Sequence, residues 1–88
     1  METNKRSIRA TATLAFPSVG AAGAEDLTVP VNGAKVGQPV VIGCGTLEDG
    51  LSVSGFVGAA GVVTVRVTNA TAGAIDPADT HSFQIAVL

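Results

Sequence analysis

An all-β fold is predicted for this 88-residue chain, and three observations predict it. Apolar residues alternate with polar or small ones at a period of two from Ile8 to Val87. No helix-length window repeats apolar residues at i, i+3, i+4 and i+7 without Gly or Pro inside it. Eleven Gly and four Pro divide the chain into short runs, at the spacing of roughly ten residues seen in small sandwiches. The expected architecture is a small antiparallel β-sandwich or Greek-key barrel of six to seven strands (about six are legible) with a free N-terminal arm. Residues 1–9 form that arm and residues 10–88 a single domain.

The arm runs into the first strand. From Ser7 to Phe16, Ile8, Ala10, Ala12, Leu14 and Phe16 alternate with Ser7, Arg9, Thr11, Thr13 and Ala15, giving a half-buried strand with an exposed Thr face, ended by Pro17. A loop of small residues, Ser18 to Glu25, follows. Leu27, Val29 and Val31 then alternate with Thr28 and Pro30, and because proline withholds a ladder donor this strand is expected at a sheet edge. Asn32-Gly33 is a turn, since both residues accept positive φ. The run Val40-Val41-Ile42 predicts a strand covered on both faces, stopped by Gly43-Cys44-Gly45.

Thr46 to Gly50 suits one helical turn at most. Leu51, Val53, Gly55 and Val57 then face one way and Ser52, Ser54 and Phe56 the other, and Gly58 to Gly61 turns the chain. Val63, Val65 and Val67 against Thr64, Arg66 and Thr68 make the clearest strand, β-branched on both faces. Asn69 to Asp79 is a longer connection. Phe83, Ile85 and Val87 against Ser82, Gln84 and Ala86 form the last strand, which is expected to lock the C-terminal residues into a sheet.

Composition narrows the function. Hydrophobic residues are 47% of the chain and charged residues only 14%, where roughly a quarter is usual. Such a surface is unusually neutral. The content excludes disorder by charge and a long helical bundle, and the length excludes a cofactor domain beside a substrate domain or a large ligand pocket. A core of Val, Ala and three Phe is marginal at this size, and with no disulfide or metal framework the expected remedy is homo-oligomerisation.

The net charge of −2 argues against nucleic acid as a partner, because phosphate binding needs a basic face. That charge is uneven. Lys5, Arg6 and Arg9 are three of the five basic residues, whereas from Ala10 onward Lys35 and Arg66 face six acids, Glu25, Asp26, Glu48, Asp49, Asp76 and Asp79. The pattern is a basic arm on an acidic body, suited to docking on an acidic neighbour. No stretch reads as a signal peptide or a membrane span, and no membrane partner is expected.

Few residues could carry chemistry. Cys44 is the only thiol and His81 the only histidine, so one chain cannot build a structural zinc site or an internal disulfide. Cys44 reads as a small buried hydrophobe or a passive loop residue. Asp79 could share a strand face with His81, but no Gly-x-Ser-x-Gly elbow accompanies them, and the pair reads as a surface contact. Glu25-Asp26 and Glu48-Asp49 are acidic pairs placed in loops, without the ligand spacing of a calcium loop. Gly43-Cys44-Gly45 lacks the Lys-Ser/Thr of a phosphate loop. Asn69-Ala70-Thr71 matches the N-glycosylation pattern but follows no secretion signal. The absence of Trp and Tyr weighs against an aromatic sugar platform and against base stacking. The chain therefore reads as no enzyme, with no catalytic, cofactor-binding or metal-binding residue and no cofactor. Its neutral Thr- and Ala-faced surface suits packing against protein.

Four segments carry a resemblance: Ala10 to Ser18 (ATATLAFPS), Leu27 to Val31 (LTVPV), Gly33 to Val40 (GAKVGQPV) and Val63 to Pro77 (VTVRVTNATAGAIDP). Together they resemble the small Ala/Gly/Val-rich β modules of tailed-bacteriophage virion structural proteins. The resemblance spans Ala10 to Leu88 and rests on structural motifs. Since the module starts at its own Met1 with no stalk or collagen-like repeat ahead of it, the resemblance implies a capsid decoration (cement) protein. Such a protein is made in the host cytoplasm and resides on the virion capsid surface. The implied partners are the major capsid protein and further copies of the chain, as a homotrimer. The arm residues Lys5, Arg6, Ile8 and Arg9 are the expected capsid contacts, by strand addition and by pairing with shell carboxylates. A tail-fibre or receptor-binding head module is the alternative within the same setting. A small sugar-binding or hydrolytic β domain, with a pocket at His81, Asp76 and Asp79, is the alternative outside it.

Overall fold

The computed structural model describes residues 8–45, 47–77 and 81–88. Six strands occur in chain order: β1 (Ile8–Leu14), β2 (Ala24–Pro30), β3 (Val40–Cys44), β4 (Leu51–Ala59), β5 (Val62–Asn69) and β6 (His81–Val87). They form two three-stranded antiparallel sheets, ordered β1-β6-β3 and β2-β5-β4. The chain is an all-β sandwich, as the period-two pattern predicts. Among the described strands only β4 and β5 are joined as a hairpin, and every other connection passes from one sheet to the other.

Register explains why the alternation works. In the first sheet Ile8, Val87 and Val40 share one row, Ala10, Ile85 and Ile42 the next, and Ala12, Phe83 and Cys44 a third. In the second sheet Leu27, Val65 and Gly55 share a row, as do Val29, Val63 and Val57. These rows face each other across the core, where Phe83, Val63, Val65 and Val87 are fully buried. Each apolar run thus turns one face to the interior and the other outward, with Thr64 on the outer face of β5 also buried.

One close approach sets the spacing on the β3–β4 side. A Cβ built on Gly55 would lie 2.8 Å from Ile42 Cδ1 and 3.1 Å from Val40 Cγ1. The missing side chain is the slot that the larger Ile42 fills. Gly50 meets a second constraint, with φ of +92° and a Cβ site 2.5 Å from Thr71 Cγ2.

A buried polar clamp fixes the loops at one end. Asn69, 0% exposed, donates from Nδ2 to the carbonyls of Val19 (3.0 Å) and Gly73 (2.8 Å). Its Oδ1 accepts from the Thr71 amide (2.8 Å) and hydroxyl (2.7 Å). The backbone bridge between Val19 and Ile75 runs alongside. The residue that reads as a glycan acceptor is therefore an internal strut, its amide group occupied on both ends.

Three expectations are corrected. β3 is an edge strand, not one covered on both faces: Val40 and Ile42 turn inward, while Val41 is 55% exposed. Three consecutive apolar residues do not encode a second covering layer, and here none is supplied. Glu25 and Asp26 lie within β2 instead of in a loop, because the strand begins at Ala24 and Asp26 finds a partner across it. The edge placement of β2, inferred from Pro30, matches the sheet order. Ile8 and Arg9, assigned to the arm, are the first two residues of β1, paired with Val87 and Ala86. Ser7 and Thr46 lie outside the described residues.

Candidate functional site

The outward rows of the β1-β6-β3 sheet follow from the same register. Arg9, Ala86 and Val41 form one row and Thr11, Gln84 and Gly43 the next, with Thr13 beside Ser82. Arg9 is the only charged side chain in these rows. A shallow depression follows them, lined by Arg9, Thr11, Val41, Gly43, Gln84 and Ala86. Its floor is low because Gly43 has no side chain and Ala86 a short one, and a Cβ on Gly43 would only touch Gln84 at 3.9 Å. A second depression continues past Cys44, Gly45 and Ser82. Among the described residues this is a flat, nearly uncharged β surface with one large apolar side chain, Val41, standing on it.

The opposite outer face is self-contained. Arg66 on β5 makes a two-pronged contact with Asp26 on β2, Nε to Oδ1 at 2.8 Å and Nη2 to Oδ2 at 2.9 Å. The guanidinium also lies 5.1 Å over the ring of Phe56 on β4. Hydrogen bonding from Arg66 holds the Asp26 carboxyl below its usual range, and the same bond raises the Arg66 pKa. The cation is thus directed to its own sheet.

His81 has a different carboxylate from the one its sequence neighbours offer. Its Nε2 lies 3.1 Å from Glu48 Oε1, with both side chains partly buried. The ring packs edge-on to Phe83 at 6.4 Å, and Phe83 in turn meets Phe16 at 6.0 Å and 78°. The arrangement ties the loop before β4 to the start of β6. Neither depression includes His81 or Asp76, and Asp79 lies outside the described residues. Among the described residues no group of three or more His, Cys, Asp or Glu side chains could hold a metal ion. Cys44 is half-buried and packs against the core from the end of β3.

Of the expected contact residues, Lys5 and Arg6 lie outside the described residues. Arg9 is exposed on the outer face, while Ile8 is half-buried against the core, so its side chain is committed to the sandwich. Sequence reasoning missed Val41, Gly43 and Gln84 as one surface. The outward parity of two strands carried the signal, but adjacency of β3 and β6 was needed to read it. No helix among the described residues is long and apolar enough to cross a membrane. No protein-family profile, curated protein or solved structure matches this chain.

Proposed function

We propose that this chain is a structural module of a bacteriophage virion, a decoration protein that binds the outer head lattice in many copies as a homo-oligomer. The observation that carries the reading is the outer face of β1-β6-β3. It offers small, uncharged side chains around Val41 and Gly43, with Arg9 as its single charge, next to the basic residues Lys5 and Arg6 in sequence. A flat neutral β surface packs against protein without desolvating charge, and the flanking cations pair with carboxylates on a shell subunit. Each such contact adds buried area between shell subunits that must be separated before the shell opens. The resemblance of Ala10–Leu88 to phage β modules supports the same reading.

The test uses purified capsids stripped of the protein. Added wild-type chain is expected to bind at lattice-scale copy number and to raise the temperature at which the shell opens. Val41→Lys is expected to leave folding within about 0.5 kcal/mol, as exposed substitutions do, and to abolish attachment. Deleting residues 1–7 leaves β1 whole and is expected to weaken attachment in a salt-dependent way. Attachment unchanged by both variants refutes the proposal, and copy numbers on the scale of a tail fibre favour the receptor-binding alternative.

A further inference from the structure

The four sheet edges are not alike. β2 carries Pro30 and the Glu25-Asp26 pair, β3 is five residues long and contains Gly43, and β4 has a register shift between Val57 and Ala59. Proline, charge, shortness and bulges are the devices that stop an edge from pairing with another chain. β3 and β4 are further shielded by packing against each other through Ile42 and Gly55. β1 carries only one of these devices, the charge of Arg9 near its start. It is seven residues long, without Pro, Gly or acid, and among the described residues it pairs with β6 on one side only. Its inward residues Ile8, Ala10, Ala12 and Leu14 all stay partly exposed, whereas those of β6, Phe83, Ile85 and Val87, are buried. The sandwich therefore leaves its β1 side unfinished.

We propose that β1 pairs with β1 of a second copy of this chain, antiparallel and about a twofold axis at Thr11. The sequence Ile8–Leu14 is self-complementary in that register. Ile8 falls opposite Leu14, Ala10 opposite Ala12, Arg9 opposite Thr13, and Thr11 opposite itself. Every inward pair is apolar and every outward pair polar, so both faces of the joined sheet keep their character. The charges fit as well: the two Arg9 stand four positions apart along the strands, about 14 Å, beyond the physiological screening length of about 8 Å. A one-residue slip would place inward side chains against outward ones. The result is a six-stranded sheet across the dimer, with the shared edge removed from solvent.

The size of the contact sets its strength. A seven-residue edge is about 24 Å long, and a two-sheet sandwich with its side chains is roughly 20 Å thick. The pairing thus covers roughly 1,000 Å² over both copies, at the lower limit for a specific interface. A dissociation constant in the micromolar range is expected. The pairing uses residues 8–14 only, and it is independent of the capsid reading because it is tested on the isolated protein.

Sedimentation equilibrium of the full chain, from about 1 to about 300 μM, reads the association directly. Mass rising from the 8.7 kDa monomer to twice that value is expected. Thr11→Lys and Thr11→Glu each place like charges at the axis and are expected to weaken the dimer at least about tenfold. Thr11 is exposed on the outer face, so both variants keep the fold, which far-UV circular dichroism checks. Mixed in equal amounts, the two variants are expected to recover association as a heterodimer, which no merely misfolded variant does. A wild-type chain that remains monomeric throughout, a trimer, or a dimer insensitive to both substitutions overturns the proposal.

Discussion

Replacing Asn69 removes four hydrogen bonds from the buried end of the sandwich. In Asn69→Ala the Val19 and Gly73 carbonyls lose a donor and Thr71 loses the acceptor for its amide and hydroxyl. Three of these groups keep a partner: Val19 O still accepts the Ile75 amide, and the Thr71 hydroxyl gives its single proton to Gly73 O, which leaves only the Thr71 amide without its acceptor. At about 0.5–1.5 kcal/mol for each bond, with the partly buried ones at the low end, the expected loss is about 2–4 kcal/mol. That is a large share of the roughly 4–13 kcal/mol available to a domain of this length. Asn69→Asp is the sharper test, because it keeps the shape and puts an oxygen where Nδ2 now donates, between two carbonyls. Burial and those carbonyls favour the neutral acid, so the folded-state pKa of the new carboxyl rises above its unfolded value. Its penalty is absent below the unfolded pKa, grows as pH rises, and is complete above the folded pKa. The chain has no Trp or Tyr, so unfolding in urea is followed by far-UV circular dichroism, and with a slope near 1 kcal/mol/M the Ala midpoint falls by about 2–4 M. An Asn69→Ala midpoint within about 0.5 M of wild type refutes the strut. So does an Asp variant as stable as the wild type at neutral pH.

Two further expectations rest on single contacts. Gly55→Ala sets a methyl 2.8 Å from Ile42 Cδ1 and 2.9 Å from Ile42 Cγ1, which is expected to cost about 1–3 kcal/mol by overpacking; Ile42→Ala in the same chain removes both atoms, so the double variant should be less destabilised than the sum, as a double-mutant cycle measures. The Asp26 carboxyl, held down by Arg66, should titrate below the ordinary value of 3.8 by NMR and return towards it in Arg66→Gln. Its contribution to stability is present above the unfolded-state pKa and is lost as pH falls through the lowered folded-state value, so a pH-independent difference between wild type and Asp26→Asn at low pH would contradict it.

Much of the fold is legible in the sequence because one physical rule writes most of it. Alternation at Ile8–Leu14, Leu51–Val57, Val63–Val67 and Phe83–Val87 encodes one wet and one dry face, and the structure keeps each parity except at Thr64, which is buried on the outer face of the central strand β5. Pro30 marks an edge through a missing donor, which is a local fact. What fails is what depends on neighbours. The Val40-Val41-Ile42 run has no alternation to read, and its one-sided cover depends on which sheet β3 joins. Asp26 and Arg66 are forty positions apart, and only the β2–β5 register brings them together. His81 illustrates the same limit: its contact with Glu48 joins residues 33 positions apart. The candidate surface was legible as character, neutral and small-faced, but its rows required the order β1-β6-β3.

The pairing of Ile8 with Val87 and of Val40 with the same residue has a consequence for how the molecule is made. β6 is the middle of its sheet and the last of the six described strands, so β1 and β3 have no ladder partner until translation has passed it. Local β4–β5 hairpin formation takes microseconds, but a sheet closed through such distant residues belongs to the slow, high-contact-order class that folds in milliseconds to seconds. During that interval β1 emerges first and waits longest, and its self-complementary sequence makes another nascent copy the nearest competitor for its backbone. Timing at the ribosome, as much as strength in the finished sandwich, therefore decides which strand β1 meets first.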